Sequence, residues 1–289
     1  MVAAPRMRFA CLAIVLCSTP AWAVRTSPIN PGSYGPNALP VWAGESPLIP
    51  EQTLITAGGA AQIGKYGDAA FTPLLRLDLP FGQWAVAFID TQPLEIWHAT
   101  TRSLAAYGST RASGVSKGDL RFGAKFLVLD GGAQKPSFAL RFITKTTTGK
   151  DPQDHRFIDA PGYLIDGVFG LPYAITGTWV FEVDATLGFF AWQQGSQGQY
   201  DAVQFSGAAT VVKGTMAQGS WYFTAEFRGY VGWQTNDKPM VFTLRAAAPV
   251  TSWMRILVAA NLGFVDAPTL DARAALEFRL PAFLPIAAR

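Results

Sequence analysis

Between Trp179 and Phe189 the chain alternates without a fault. Trp179, Phe181, Val183, Ala185, Leu187 and Phe189 fall on one face of an extended chain, and Val180, Glu182, Asp184, Thr186 and Gly188 on the other. A β-strand separates them in this way because successive side chains point to opposite faces. A helix would spread both carboxylates and all the rings around its girth. An oily face about ten residues long, ended by aromatic rings, is also what a tilted strand needs to cross a bilayer.

The same alternation predicts twelve strands, near 52–64, 70–80, 83–97, 117–130, 136–149, 163–175, 178–193, 200–213, 220–234, 239–249, 253–265 and 271–281. Twelve is even, as such barrels require; ten or fourteen would also be. The first and third alternate weakly. Pro93 and a change of parity around Ile89-Asp90 predict a bulge in the third. Links after the second, fourth, sixth, eighth and tenth strands are short, as in Pro80-Phe81-Gly82 or Thr176-Gly177, while those at 98–116 and 150–162 are long. Short turns on one side and long loops on the other match an outer-membrane barrel with its short turns in the periplasm.

Composition sharpens the choice. Hydrophobic residues make up 49% and charged residues 15%, against a usual charged share near 25%. Beyond the N-terminal leader no run of about eighteen apolar residues is present, so no helical span is predicted. A secreted chain this apolar is either a large soluble β-protein or a closed membrane barrel, the one sheet form a bilayer accepts. Trp179, Trp221 and Trp233 at strand ends favour the barrel, since indole has an apolar body and a polar tip suited to the membrane interface.

The leader itself reads as a signal peptide over residues 1–23. Arg6 and Arg8 precede an apolar run from Phe9 to Cys17 and a small-x-small site ending at Ala23. Cys17 would serve as a lipid anchor only with a small residue before it, and Leu16 stands there. Both cysteines, Cys11 and Cys17, lie in this leader, which leaves no disulfide or thiolate chemistry to the remainder. The leader removes two arginines and no acid from a formal charge of +3, so nothing points to nucleic acid. Residues 24–50 are rich in proline and glycine and read as a loose tail, with a periplasmic lead-in or a fold into the barrel mouth as alternatives. Residues 51–289 form the barrel.

With the oily face toward lipid, the charged set faces the lumen. Its predicted cations are Arg76, Arg121, Lys125, Arg141, Lys145, Arg228, Arg245, Arg255, Arg273 and Arg279; its anions are Asp78, Asp119, Asp166, Glu182, Asp184, Glu226 and Glu277. Strands four, five and ten to twelve are mainly basic, and strands six, seven and nine hold most of the acids. Such walls either close on each other through ion pairs and plug the barrel, or stay wet and set a field across a channel. Two histidines are present, His98 and His155. Asp151, Asp154 and His155 share one long loop but lack the cross-strand geometry of a catalytic dyad, and no motif holds a metal or cofactor.

One stretch resembles a known family. Lys117-Gly118-Asp119-Leu120-Arg121-Phe122-Gly123-Ala124-Lys125-Phe126, followed by Ala139-Leu140-Arg141-Phe142 and Lys145-Thr146-Thr147-Thr148-Gly149-Lys150, is similar to a hairpin of bacterial outer-membrane barrels grouped as the meta-pathway phenol-degradation family. There a Gly-Asp-Leu/Val…Gly-x-Lys-Tyr strand precedes one ending Lys-x-Pro-Thr-Gly; in this chain Phe126 replaces the tyrosine and Thr147 the proline. The resemblance covers about 35 residues and implies an outer-membrane address with passage of small compounds, aromatic ones among them. The expectation is therefore an all-β, closed antiparallel transmembrane barrel, in contact with outer-membrane lipid, that passively conducts an unidentified small solute. The alternative is a non-conducting structural or surface-binding barrel working through loops 98–116 and 150–162, or, less in keeping with the residues, a hydrolase using His155.

Overall fold

The structure, a computed structural model, describes residues 40–107, 109–132, 135–149, 156, 161–176, 178–193, 199–213, 221–233 and 237–282. Among these, twelve antiparallel strands follow one another around a closed cylinder. They are β1 (Thr53–Ile63), β2 (Ala69–Phe81), β3 in two halves (Ala85–Thr91 and Leu94–His98), β4 in two halves (Ser113–Lys117 and Leu120–Leu129), β5 (Ser137–Lys145), β6 (Gly162–Thr176), β7 (Trp179–Gln193), β8 (Gln199–Lys213), β9 (Tyr222–Gly232), β10 (Met240–Thr251), β11 (Met254–Val265) and β12 (Leu270–Leu280). Each pairs with its sequence neighbour. The cylinder shuts where β12 returns to β1, in register from Thr53↔Leu280 to Ile63↔Leu270. Closure leaves no free edge along that seam, the condition for a sheet in hydrocarbon.

The irregularity predicted in β3 is a break at Gln92-Pro93. Pro93 has no N–H for the ladder, and Pro73 on β2 lies among the three residues, 72–74, that face the gap. The neighbouring β4 breaks beside it at Gly118-Asp119. Two bonds cross there, Gly118 N–H to the Pro93 carbonyl at 3.2 Å and the Thr91 hydroxyl to the Asp119 carbonyl at 3.1 Å. Beyond the break the second half of β3 pairs with Ala69–Phe71 of β2 and with the first half of β4. The loop between β3 and β4 holds a short helix, α1 (Thr101–Tyr107), capped by the Thr100 hydroxyl, which accepts the Ser103 amide at 3.1 Å. The alternation predicts plain loop there, and it runs β5 on to 149, whereas the ladder stops at Lys145.

Burial runs opposite to that of a water-soluble protein. Leu187 and Phe264 are each 65% exposed, whereas Glu226 and Lys145 are wholly buried. The greasy side chains point out and the ionised ones in, which defines a membrane barrel of the bacterial outer-membrane type. Trp179 and Trp221 lie exposed at the short-turn end and Trp233 at the long-loop end, where it packs on Phe189 with centroids 5.8 Å apart. Trp84 and Trp253 add exposed rings at the short turns, stacked on Phe126 and Phe278. The Trp84 turn needs Gly82, whose φ of 65° suits no side chain but glycine's hydrogen.

The interior is not polar throughout. Toward the long-loop end Phe88, Ile143, Leu164, Phe190, Trp192 and Tyr230 form a buried apolar nest inside the barrel. Phe190 and Trp192 continue the inward parity of Glu182, Asp184 and Thr186 on β7, so the inner face changes from charge to aromatic rings as it leaves the membrane centre.

Leu187 occupies the outward face at the middle of β7, opposite Phe205 and Gly167. A Leu187→Arg substitution should destabilise the membrane-inserted barrel by ~2–4 kcal/mol, the cost of a midplane cation on the lipid face. Reversible urea unfolding in lipid vesicles measures it, and a change below about 1 kcal/mol would contradict an outward-facing Leu187.

Candidate functional site

Residues 40–50, Pro40-Val41-Trp42-Ala43-Gly44-Glu45-Ser46-Pro47-Leu48-Ile49-Pro50, lie inside the barrel and not outside it as a loose tail. This strap runs from Pro40, beside Ala267 and Pro268 at the long-loop end, down to Leu48 and Pro50 beside Leu54 at the start of β1. Its prolines keep it from joining a ladder as a thirteenth strand. Its backbone groups therefore have to be met by side chains, since a buried peptide group without a partner is costly.

The walls meet them from both sides. Arg141 Nη1 donates to the Ala43 carbonyl at 2.9 Å, Arg245 Nη2 to the Gly44 carbonyl at 3.2 Å and Lys125 Nζ to the Ser46 carbonyl at 2.8 Å. From the acidic side, Glu226 Oε1 accepts the Gly44 amide at 2.5 Å and Glu182 Oε1 accepts the Ser46 hydroxyl at 2.7 Å. Gly44 is required for this approach: a Cβ there would stand 2.5 Å from Ser206 Oγ and 3.0 Å from Glu226 Oε1.

Glu45 projects from the centre of the strap into the basic wall. Its Oε1 lies 3.0 Å from Arg76 Nη1 and 3.6 Å from Arg141 Nη1, and its Oε2 lies 3.6 Å from Lys125 Nζ. One carboxylate thus answers three cations inside the barrel, where such contacts are stronger than at an open surface. Above it Trp42 closes the aromatic nest, edge-on to Phe190 at 6.3 Å and beneath the Arg121 guanidinium at 5.4 Å.

The other predicted charges sit in pairs, some between adjacent strands and some two residues apart on one strand. Arg141 makes a two-pronged contact with Asp166 at 2.6 and 3.0 Å, Lys145 reaches Asp119 at 2.5 Å, and Arg121 Nε donates to Asp90. Arg255 meets Glu277 at 2.6 Å with Arg279 alongside at 3.7 Å. Arg245 and Arg228 converge on Glu226 at 3.1 and 3.5 Å, and Arg228 also donates to Asn261. Arg273 binds Asp271, and Arg76 binds Asp78. Asp184 is buried one inward position from Glu182 on β7. Around the wall, then, charge is balanced sideways, and the strap carries the links across.

The hairpin motif also closes on itself. Asp119 accepts the Gly149 amide at 2.6 Å while its carboxylate holds Lys145, and the Leu120 amide is taken by the hydroxyls of Thr146 and Thr148, each at 3.1 Å. Its two halves form one hydrogen-bonded knot next to the β4 break.

A cluster at the long-loop end escapes sequence reading. Arg156 lies buried with its guanidinium 3.3 Å from Glu95 and 3.5 Å from Asp68, and 4.9 Å above the ring of Trp97, whose indole N–H donates to Ser116. It ties position 156 to β3 and to the turn between β1 and β2. His98 ends β3, exposed. Asp151, Asp154 and His155 lie outside the described residues, and among the described residues no group of three His, Cys, Asp or Glu side chains is placed to hold a metal.

The strap divides the lumen into two cavities. The upper one, about 150 Å³, is bounded by Trp42, Phe88, Asp90, Arg121 and Arg228. The lower one, about 390 Å³, is bounded by Ser46, Leu48, Asp184, Tyr222, Arg245 and Arg255. Glu45, Arg76 and Arg273 border both.

This architecture has solved counterparts. An outer membrane channel from Pseudomonas putida F1 superposes with a TM-score of 0.56 at 11% identity, covering 83% of this chain and all of the other. The KdgM porin (TM-score 0.46, 9% identity, 78% of this chain and 98% of the other) and the β-domain of the Bordetella autotransporter BrkA (0.46, 11%, 78% and 98%) also match. At such identities the likeness is one of fold. No protein-family model matches the chain, and no curated protein matches it by sequence.

Removing one member of a buried ion pair strands the other. Arg141→Met leaves Asp166 unpaired and drops the Ala43 carbonyl, and should destabilise the barrel by ~3–5 kcal/mol. Adding Asp166→Asn should restore more than half of that loss. Denaturant midpoints of the two single variants and the double variant measure the coupling, and simple additivity would show that the pair is not coupled.

Proposed function

We propose that this barrel is a passive conduit for small solutes, held shut at rest by strap 40–50. The supporting observation is the pair of cavities that approach from opposite ends and share Glu45, Arg76 and Arg273 at their boundary. Glu45 belongs to the strap, and Arg76 and Arg273 to the wall. In this reading Arg121, Lys125, Arg141 and Lys145 form the basic side of the path, with Arg228, Arg245, Arg255, Arg273 and Arg279 continuing it. Asp119, Asp166, Glu182, Asp184, Glu226 and Glu277 counter them, so that a passing solute finds paired charges and no bare field. Membership of the meta-pathway phenol-degradation family, suggested by the hairpin around Asp119 and Lys145, would make small aromatic or hydrophobic compounds the cargo. The aromatic nest at the upper cavity supports that choice. Export would proceed through the leader, with cleavage after Ala23.

A second reading has its own observation. The strap makes five polar contacts with the walls through its main chain and the Ser46 hydroxyl, besides those of Glu45, which suits a permanent plug. The protein would then act at its outer surface, around α1 and the Arg156–Trp97 cluster.

Planar-bilayer recording separates the two. A conduit should show small, intermittently open conductance, and Glu45→Gln, which releases the strap from three cations, should raise mean conductance several-fold. No current from either protein in any salt would refute the conduit and leave the plug.

A further inference from the structure

The cradle around Glu45 has the make-up of a carboxylate-binding site. A guanidinium N–H at 3.0 Å, a second guanidinium and an ammonium, both at 3.6 Å, converge on one carboxylate from three different strands, β2, β4 and β5. Lys125 is buried and keeps a further bond only to the Ser46 carbonyl of the same strap. Arg76 and Arg141 have their own wall partners in Asp78 and Asp166 and still turn one nitrogen to Glu45. Of the three, Lys125 alone has no wall carboxylate within ion-pair distance among the described residues. The strap supplies the matching anion.

What surrounds the carboxylate also looks like the setting for a ligand. The upper cavity begins at Glu45 and is lined by the rings of Trp42 and Phe88 and by Ile143, with the Arg76 guanidinium 4.5 Å from the Phe88 centroid. At about 150 Å³ it has room for one benzene-sized ring, and because Asp90, Arg121, Arg228 and Asp271 also line it, its occupant needs a polar end as well as an apolar face. A planar ring carrying a carboxylate can place its anionic end where Glu45 now sits and its ring against Phe88.

Building on the conduit reading, we propose that Glu45 is an internal stand-in for the cargo, and that the cargo is a small carboxylate with an aromatic or apolar body which displaces Glu45 from Arg76, Lys125 and Arg141. A tethered competitor acts at an effective concentration in the millimolar range. It therefore weakens the apparent affinity for a free carboxylate and, when displaced, loosens the strap's waist. A contact that helps hold the strap thereby selects what loosens it. A neutral molecule of the same shape cannot substitute, because it would leave the buried Lys125 without a counter-charge while Arg76 and Arg141 keep Asp78 and Asp166.

Benzoate and benzyl alcohol, a neutral molecule with the same ring, serve as probes on the full purified chain in detergent, with binding followed by calorimetry. Glu45→Gln should bind benzoate about tenfold more tightly than the unaltered protein, with binding of benzyl alcohol unchanged. Glu45→Asp, which keeps the charge, should stay close to the unaltered protein, and adding Lys125→Met to Glu45→Gln should abolish the gain. In the unaltered chain, saturating benzoate should speed hydrogen exchange across residues 40–50 and benzyl alcohol should not; this measurement stands even if a Glu45 variant fails to fold. Equal gains for both probes, equal gains in Gln and Asp variants, or a strap whose exchange ignores benzoate would each overturn the proposal. Benzoate entry into proteoliposomes is scored separately. Tighter binding without entry would refute the conduit and keep the cradle, whereas entry without the binding gain would do the reverse.

Discussion

An ionised side chain taken out of water has to find its counter-charge nearby, and the interior of this barrel is organised by that requirement. A water-soluble protein meets it by leaving most charges at the surface. In this barrel lipid occupies the outside, so the charged residues of twelve strands turn inward into a space only a few side chains wide. Most settle with a wall neighbour on the next strand or the same one, as Arg141 does with Asp166 and Arg273 with Asp271. Those sideways pairs leave the lumen unfilled. Filling falls to the strap, whose single carboxylate and exposed peptide groups are the polar material that reaches the centre.

The strands and their order were legible in the sequence because the bilayer enforces parity. A slip of one residue would carry Glu182 and Asp184 to the lipid and Leu187 to the lumen, so the register admits no compromise. The break in β3 was legible for a similar reason, since Pro93 removes a ladder donor wherever it falls. The strap was not legible. Its prolines argue against helix and strand alike, and what remains resembles a tail. A faint signal was present: between Val24 and Pro50, Glu45 is the single acid and Trp42 the single indole. Neither has a reason to be in a solvated tail, but the partners of each come from strands far along the chain, a separation that periodicity does not report.

The aromatic nest was hidden by the same alternation that revealed the strands. Phe190 and Trp192 follow the inward parity of β7, yet apolar residues on a nominally polar face read as the end of a pattern and not as part of one. Their role becomes visible only with Trp42 seated among them. The nest lies where the strand has passed the membrane centre, so an apolar inner surface there does not compete with lipid. It gives the strap an apolar anchor at one end to complement the ionic one at its middle.

The strap's lower end limits how it can move. Pro50 is three residues from Thr53, which is already paired with Leu280 across the closing seam. Any displacement of Glu45 must therefore be absorbed above Thr53, and the bend at Glu51-Gln52, with Glu51 exposed, is the one stretch between strap and ladder free of strand pairing. Swinging the strap about that bend would break the bonds at Ala43, Gly44 and Ser46 together, because consecutive residues hold opposite walls. A partial shift gains no freedom until all of them yield. In the conduit reading proposed above, release of the strap is therefore all-or-none and not graded. This separates the rigid element, which the membrane dictates, from the strap, which ion pairs, hydrogen bonds and the Trp42 anchor hold inside it.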